Sequence, residues 1–302
     1  MLDRASTFAD SDIVEMLKTK FVPLAIDQAY QRRQKDAEGE FYRKIAGQGP
    51  RKTKDFQGTT QGFYIATADG NMLLYNNNRD PQKVRRLMKQ KLAEFRSSSA
   101  RNASVAKIDA GKLDPRFNVE PPEGGLVVRV RAKVMDGYEK SSDRWRQLFQ
   151  TAVSRDNLWI SKDEHKLLTQ GRFPASLQHR IARYHLVDNT RGEPPMWQGK
   201  EIRKSEMAIQ DGKLWGTIHL QTDSGDRGYQ AELLGTVEIK NDEIVRFDMV
   251  ALGEFWGEGR YTKGAPEGKF PLAISFTLAD GADVADKVPP QGSRGWVQGY
   301  LR

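Results

Sequence analysis

The densest chemistry in the sequence lies in "LQHRIARYHLVDNTRGEPPMW", residues 177–197. It gathers His179, Arg180, Arg183, His185, Asp188, Asn189 and Arg191 across a helix end and a proline-rich turn. Arg183 and Arg191 could clamp a carboxylate or phosphate through charge-assisted hydrogen bonds, with His185 as general acid or base. The competing reading gives the same residues structural work: His185 bonded within the core, the arginines paired with nearby acids. A second candidate is "ALGEFWGEGRYTKG", residues 251–264, where Glu254 and Glu258 precede Tyr261. Two carboxylates on one cavity could serve as acid and base in a hydrolase of the glycosidase type. A period of two puts both on one strand face only if the strand runs straight through Gly257.

Aromatic residues form a third candidate set. Trp197, Trp215, Phe255, Trp256, Tyr261 and Trp296 could line an apolar ligand pocket in a curved sheet, or simply fill it. Trp215 and His219 are expected on one strand face, with Leu214, Ile218 and Leu220 on the other. One of the two faces then needs a helix, a partner or a ligand to cover it. The ligand-binding set expected from these readings is Trp215, His219, Arg183, Arg191, Trp256 and Tyr261.

Several classes of chemistry are excluded or disfavoured. The 302 residues contain no cysteine, which removes disulfides, thiolate nucleophiles and cysteine metal sites. The four histidines, His165, His179, His185 and His219, show no H-x-x-x-H or HExxH spacing, so no metal site is expected. There is no Walker loop, dinucleotide fingerprint or G-x-S-x-G elbow, and "GTTQG" lacks the lysine of a phosphate loop, so no cofactor is expected. A formal charge of +8 is a mild bias rather than a concentrated basic footprint, which argues against a nucleic-acid partner. No apolar run reaches the ~18 residues of a membrane span. "MLDRASTFAD" does not read as a secretory leader, so the cytoplasm is the default expectation.

The elements that must position these residues follow from periodicity and caps. Residues 10–20 read as a helix capped by Asp10 or Ser11, and "FVPLAID" (21–27) as a buried strand kept from the sheet centre by Pro23. Residues 28–47 read as mostly helical, with Tyr30, Phe41, Tyr42 and Ile45 inward, and a basic loop, "GPRKTKDFQG", follows. Asp69-Gly70 between two apolar runs predicts a hairpin. Asp80 and Pro81 then start a helix with Val84, Leu87, Met88, Leu92 and Phe95 on its apolar side. Residues 96–124 read as a linker, with a glycosylation-type triplet at 102–104. Beyond it come a basic-faced strand at 126–135, helices within 141–188 including a Ser161–Glu164 capping box, and about five antiparallel strands from 201. The expected architecture is α+β: residues 1–95, a linker at 96–124, and a helix-covered antiparallel sheet or open barrel at 125–302.

"TFADSDIVEMLKTKFVPLAID" (7–27) resembles the segment that follows the CxxC motif in the thioredoxin-like superfamily. "QGFYIATADGNMLLYNNN" (61–78) resembles the later hairpin of the same proteins. The resemblance covers residues 6 to about 95 and implies a thioredoxin-like domain without its opening strand. By the same resemblance Gln61 stands where the superfamily has its cis-proline and Gly62 where it has threonine. The cysteine pair is absent, and disulfide exchange needs a thiolate, so the chain as written cannot be a thiol oxidoreductase. The expected function is therefore a non-redox binding or accessory protein that holds a small molecule or protein segment in its β-domain. The alternatives are a thiol or selenol oxidoreductase truncated upstream of its active motif, or a hydrolase using the carboxylates of the β-domain.

Overall fold

Alternating residues from 126 onward build one large sheet. The computed structural model describes residues 5–49, 56, 62–98, 111–114, 116–293 and 296–302. Gln61, most of the basic loop and the triplet at 102–104 fall outside them. The chain divides into two units, Ser6–Val119 and one built on Glu120–Arg302.

In the first unit Asp10 caps helix α1 (Ser11–Lys20), accepting from Ile13 N at 3.0 Å, as the sequence predicts. Asp36 caps α2 (Ala37–Ala46), and strands β1 (Phe63–Ala66) and β2 (Met72–Asn76) form the Asp69-Gly70 hairpin. Asp80 and Pro81 open α3 (Pro81–Ser97), whose Val84 and Met88 pack with Ile13 as a small core. The expected strand at 21–27 is not formed. Val22 and Leu24 are 85% and 71% exposed, and the first unit's described sheet is the hairpin alone. Pro23 has no N–H to give a ladder, and no described strand lies beside the segment to receive one. Part of the expected linker belongs to this unit: Asp114 N donates to Asp36 at 2.8 Å, and Phe117 meets Tyr30 edge-on.

In the second unit β3 (Leu126–Val134), β4 (Asp156–Ile160), β5 (Ile202–Gln210), β6 (Lys213–Gln221), β7 (Gly228–Lys240), β8 (Glu243–Trp256) and β9 (Lys269–Leu278) form a curled antiparallel half-barrel. Its order is β4-β3-β9-β8-β7-β6-β5. Asp211 and Gly212 turn β5 into β6 with φ of 51° and 72°, both positive as a type I′ turn requires. The concave face carries Val130, Leu214, Ile218, Tyr229, Leu233, Phe247, Met249, Phe255, Leu272 and Phe276, all buried.

Helices α4 (Arg144–Thr151), α5 (Lys162–Thr169), α6 (Ala175–Arg180) and α7 (Val297–Leu301) accompany the sheet. Residues Ile181–His185 continue α6 as a π turn, closed by Leu186 N to the Ile181 carbonyl at 3.0 Å. The predicted capping box at Ser161 is present. Its Glu164 does more than cap, because its Oε2 also receives the buried Arg180 Nη1 at 2.7 Å. The same Nη1 donates to the Trp159 carbonyl, while Nε and Nη2 donate to the carbonyls of Tyr300 and Leu301. Gln178, two residues earlier, donates to Ser205 O and accepts from Met207 N, and so occupies the open edge of β5.

Burial pushes the Glu164 carboxyl upward, but Arg180, Ser176 and the Ser161 N–H outweigh it and hold the group below its ordinary 4.5. The stability this provides is complete above pH 4.5 and is lost as pH falls below that value through the depressed folded pKa. Glu164→Gln leaves Arg180 buried without a counter-charge, which costs about 3–5 kcal/mol at pH 7. The difference between wild type and variant should narrow in urea titrations repeated below pH 4.5.

Candidate functional site

The candidate residues separate according to whether their polar atoms are already committed. His185 is committed. Its side chain has no exposure, Nε2 shares a 2.6 Å hydrogen bond with the Tyr300 hydroxyl, and Nδ1 lies 3.2 Å from Asp156 Oδ2. Asp156 is itself held, accepting from Asn157 N and Gln291 N. A general acid or base must reach its substrate, and this imidazole is sealed between β4 and α7.

Arg191 is committed as well. Its Nη2 stands 2.5 Å from Asp188, Nη1 donates to the Tyr138 hydroxyl at 2.9 Å, and Nε donates to the Thr262 carbonyl at 3.0 Å. Asp188 also accepts from the N–H and hydroxyl of Thr190. The expected clamp of Arg183 with Arg191 is therefore not assembled. Arg183 lies on the π turn, with its guanidinium 5.0 Å from the Tyr184 ring centre and no ion pair among the described residues.

The carboxylate pair is not assembled either. Strand β8 stops at Trp256, and Gly257 bends the chain at φ 80°, a conformation that favours glycine. Glu254 remains on the outer strand face beside Lys269 at 3.1 Å. Glu258 turns into the following loop, where it meets Lys263 at 2.8 Å and accepts from Gly264 N and Ala265 N. The Lys263 hydrogen bond, ahead of those amides, holds its carboxyl below the usual glutamate value. That lowering of the Glu258 carboxyl is opposite to the raised pKa that an acid catalyst needs.

The aromatic set divides between inside and outside. Trp197 is buried, its indole N–H donating to the Leu186 carbonyl, with the Arg227 guanidinium 3.9 Å over its ring. Phe255 stacks among Tyr229, Trp197 and Phe270, so the concave side is filled by side chains. Trp256 is half-buried, bonds the Gly225 carbonyl and carries Lys269 over its ring. Tyr261 is exposed beneath Arg260. Trp296 is exposed.

Trp215 and His219 do share the outer face, opposite Leu214, Ile218 and Leu220, as the alternation predicts. The register sets Trp215 beside Leu234 and Leu234 beside Val250, with Thr217, Glu232 and Leu252 in the next row. Trp215, Leu234, Val250 and Leu252 are 48%, 66%, 43% and 54% exposed. Beside them a shallow depression of about 380 Å³ is lined by His219, Gln230, Glu232, Leu252 and Glu254. His219 Nε2 lies 3.2 Å from Gln221 Oε1.

Sequence reasoning passed over Leu234, Val250 and Leu252. Their signal is the break in alternation at Leu233-Leu234 and Met249-Val250-Ala251-Leu252, where both faces become apolar. No metal-binding group of histidines and acids occurs among the described residues, and no described helix is long and apolar enough to cross a membrane. Comparison with protein-family models, curated proteins and solved structures found no match for this chain.

The contrast between committed and uncommitted groups is measurable. Asp188→Asn should cost about 3–5 kcal/mol, because it leaves Arg191 buried without its anion. Glu254→Gln removes an exposed pair and should stay within about 0.5 kcal/mol of wild type. Equilibrium urea unfolding of the two variants checks both values.

Proposed function

We propose that this chain is a non-redox, two-unit binding protein whose β-unit presents the outer sheet face around Trp215 to a protein segment. The observation that carries this reading is the contiguity of Trp215, Leu234, Val250 and Leu252 on neighbouring strands. Single exposed apolar residues are ordinary, whereas a contiguous patch rimmed by polar groups marks an interaction surface.

The rim sets the partner's chemistry. Glu232 stands in the row with Leu252 and has no ion pair among the described residues, and Glu206 flanks the same row on β5. The fitting segment therefore carries aliphatic or aromatic side chains next to a lysine or arginine. The thioredoxin-like resemblance of residues 6–95, with no cysteine, supports an accessory rather than catalytic role for the first unit. The chain order α1, α2, β1–β2 hairpin and α3 supports that resemblance, and the unformed strand at 21–27 departs from it.

Peptides selected on the full chain from a random display library should be enriched in that apolar-plus-basic pattern. Leu234→Asp should weaken a selected peptide by about tenfold or more. Peptide should also blue-shift the Trp215 emission, isolated as the difference from Trp215→Phe. A peptide that binds Leu234→Asp as well as wild type would sink the proposal. Self-association in sedimentation that Leu234→Asp abolishes would assign the face to a second copy instead.

A further inference from the structure

Arg183 belongs to a different feature, independent of the outer sheet face. Ser176, His179, Arg180 and Arg183 are spaced three, four and seven residues from the first, which sets them along one side of α6 and its π turn. Together with Tyr300 and Arg302 they line a cavity of about 270 Å³. π turns recur at functional sites because the widened turn re-aims side chains.

The charges around this cavity do not cancel. Arg180 is matched by Glu164, and Ser176 donates its hydroxyl hydrogen to the same carboxylate at 2.6 Å. Arg183 has no such match. Among the described residues it makes no ion pair, its Nε is buried without a hydrogen-bond partner, and its guanidinium lies 5.0 Å from the Tyr184 ring centre. His179 and Arg302 also border the cavity without an ion pair among the described residues. Burial, then the Arg183 charge, holds the His179 imidazole below its ordinary 6.5, which agrees with a positive field at this spot. A buried or half-buried cation is normally paired. This wall offers guanidinium and imidazole donors, and the nearby Glu164 carboxylate is already occupied by Arg180 and Ser176.

We propose that this cavity binds the oxyanion of a small organic molecule, a phosphate monoester or a carboxylate, with Arg183 as the anchor. The planar guanidinium matches either oxyanion through paired hydrogen bonds. His179 supplies a second donor from the same helix side, and Arg302 adds charge from the end of α7. The volume admits a single-ring body behind the anionic group.

Calorimetric titration of the full chain with phenyl phosphate and with benzoate tests the assignment, since the two probes share a ring and differ in the anion. Saturable binding of at least one is expected, and the tighter of the two identifies the oxyanion. Arg183→Gln should weaken it about tenfold or more. Arg302→Gln, an exposed change that leaves the fold intact, should weaken it several-fold and serves if Arg183→Gln does not fold. Arg260→Gln, on the ring of exposed Tyr261, should bind as wild type does. Failure of both probes to give saturable heat at millimolar concentration overturns the proposal. So does binding that neither the Arg183 nor the Arg302 variant weakens.

Discussion

The second unit is organised around one buried guanidinium. Arg180 is about as inaccessible as a leucine of the core, yet it carries a full charge and a fork of donors. Such a group is tolerable inside only when its charge and its hydrogen bonds are both answered. The answers come from separated parts of the chain: the Glu164 carboxylate on α5, the Trp159 carbonyl on β4, and the Tyr300 and Leu301 carbonyls on α7. Meeting these conditions fixes where the C-terminal helix ends against α6. Tyr300, placed this way, then reaches His185 on the π turn. The wall of the basic cavity is thus a by-product of satisfying Arg180.

The same helix shows how polar residues of one sequence segment acquire opposite roles. Arg180 and Arg183 are neighbours on a helix, and Arg183 and Arg191 looked interchangeable as anion clamps. Arg180 and Arg191 turn inward and find carboxylates, Glu164 and Asp188. Arg183, one turn further on, finds an aromatic ring and no carboxylate among the described residues. Charge alone does not separate these residues. What separates them is whether the fold supplies the counter-charge, which depends on acids 16 residues before Arg180 and three before Arg191.

This is also the limit of what could be read from the sequence. The β5–β9 meander was legible because Asp211-Gly212 and strict alternation in "KLWGTIHLQ" act locally. The caps at Asp10, Asp80 and Ser161 were legible for the same reason. Strand β4 was not, because "DNLWI" is buried on both faces and so shows no alternation. The strand expected at 21–27 misled in the other direction. Its β-branched and apolar composition is that of a strand, but a strand needs a neighbour, and pairing is not encoded in the segment itself. Glu254 and Glu258 were separable only by the bend at Gly257, which a period of two cannot announce.

A curled sheet has two unequal faces, and that inequality bears on function. The concave face must be filled, and here Tyr229, Phe247, Phe255, Phe270 and Phe276 fill it. Tyr229 shows how completely: its hydroxyl reaches the backbone carbonyls of Ala251 and Leu272, and burial pushes its pKa upward. A filled concave side leaves little room there for a substrate, which distinguishes this half-barrel from barrels that enclose one. The convex face has no internal reason to be apolar, since polar residues there cost nothing. Leucine at 234 and 252, valine at 250 and tryptophan at 215 therefore stand where folding does not ask for them. Residues that folding does not require are the ones best explained by contact with something else.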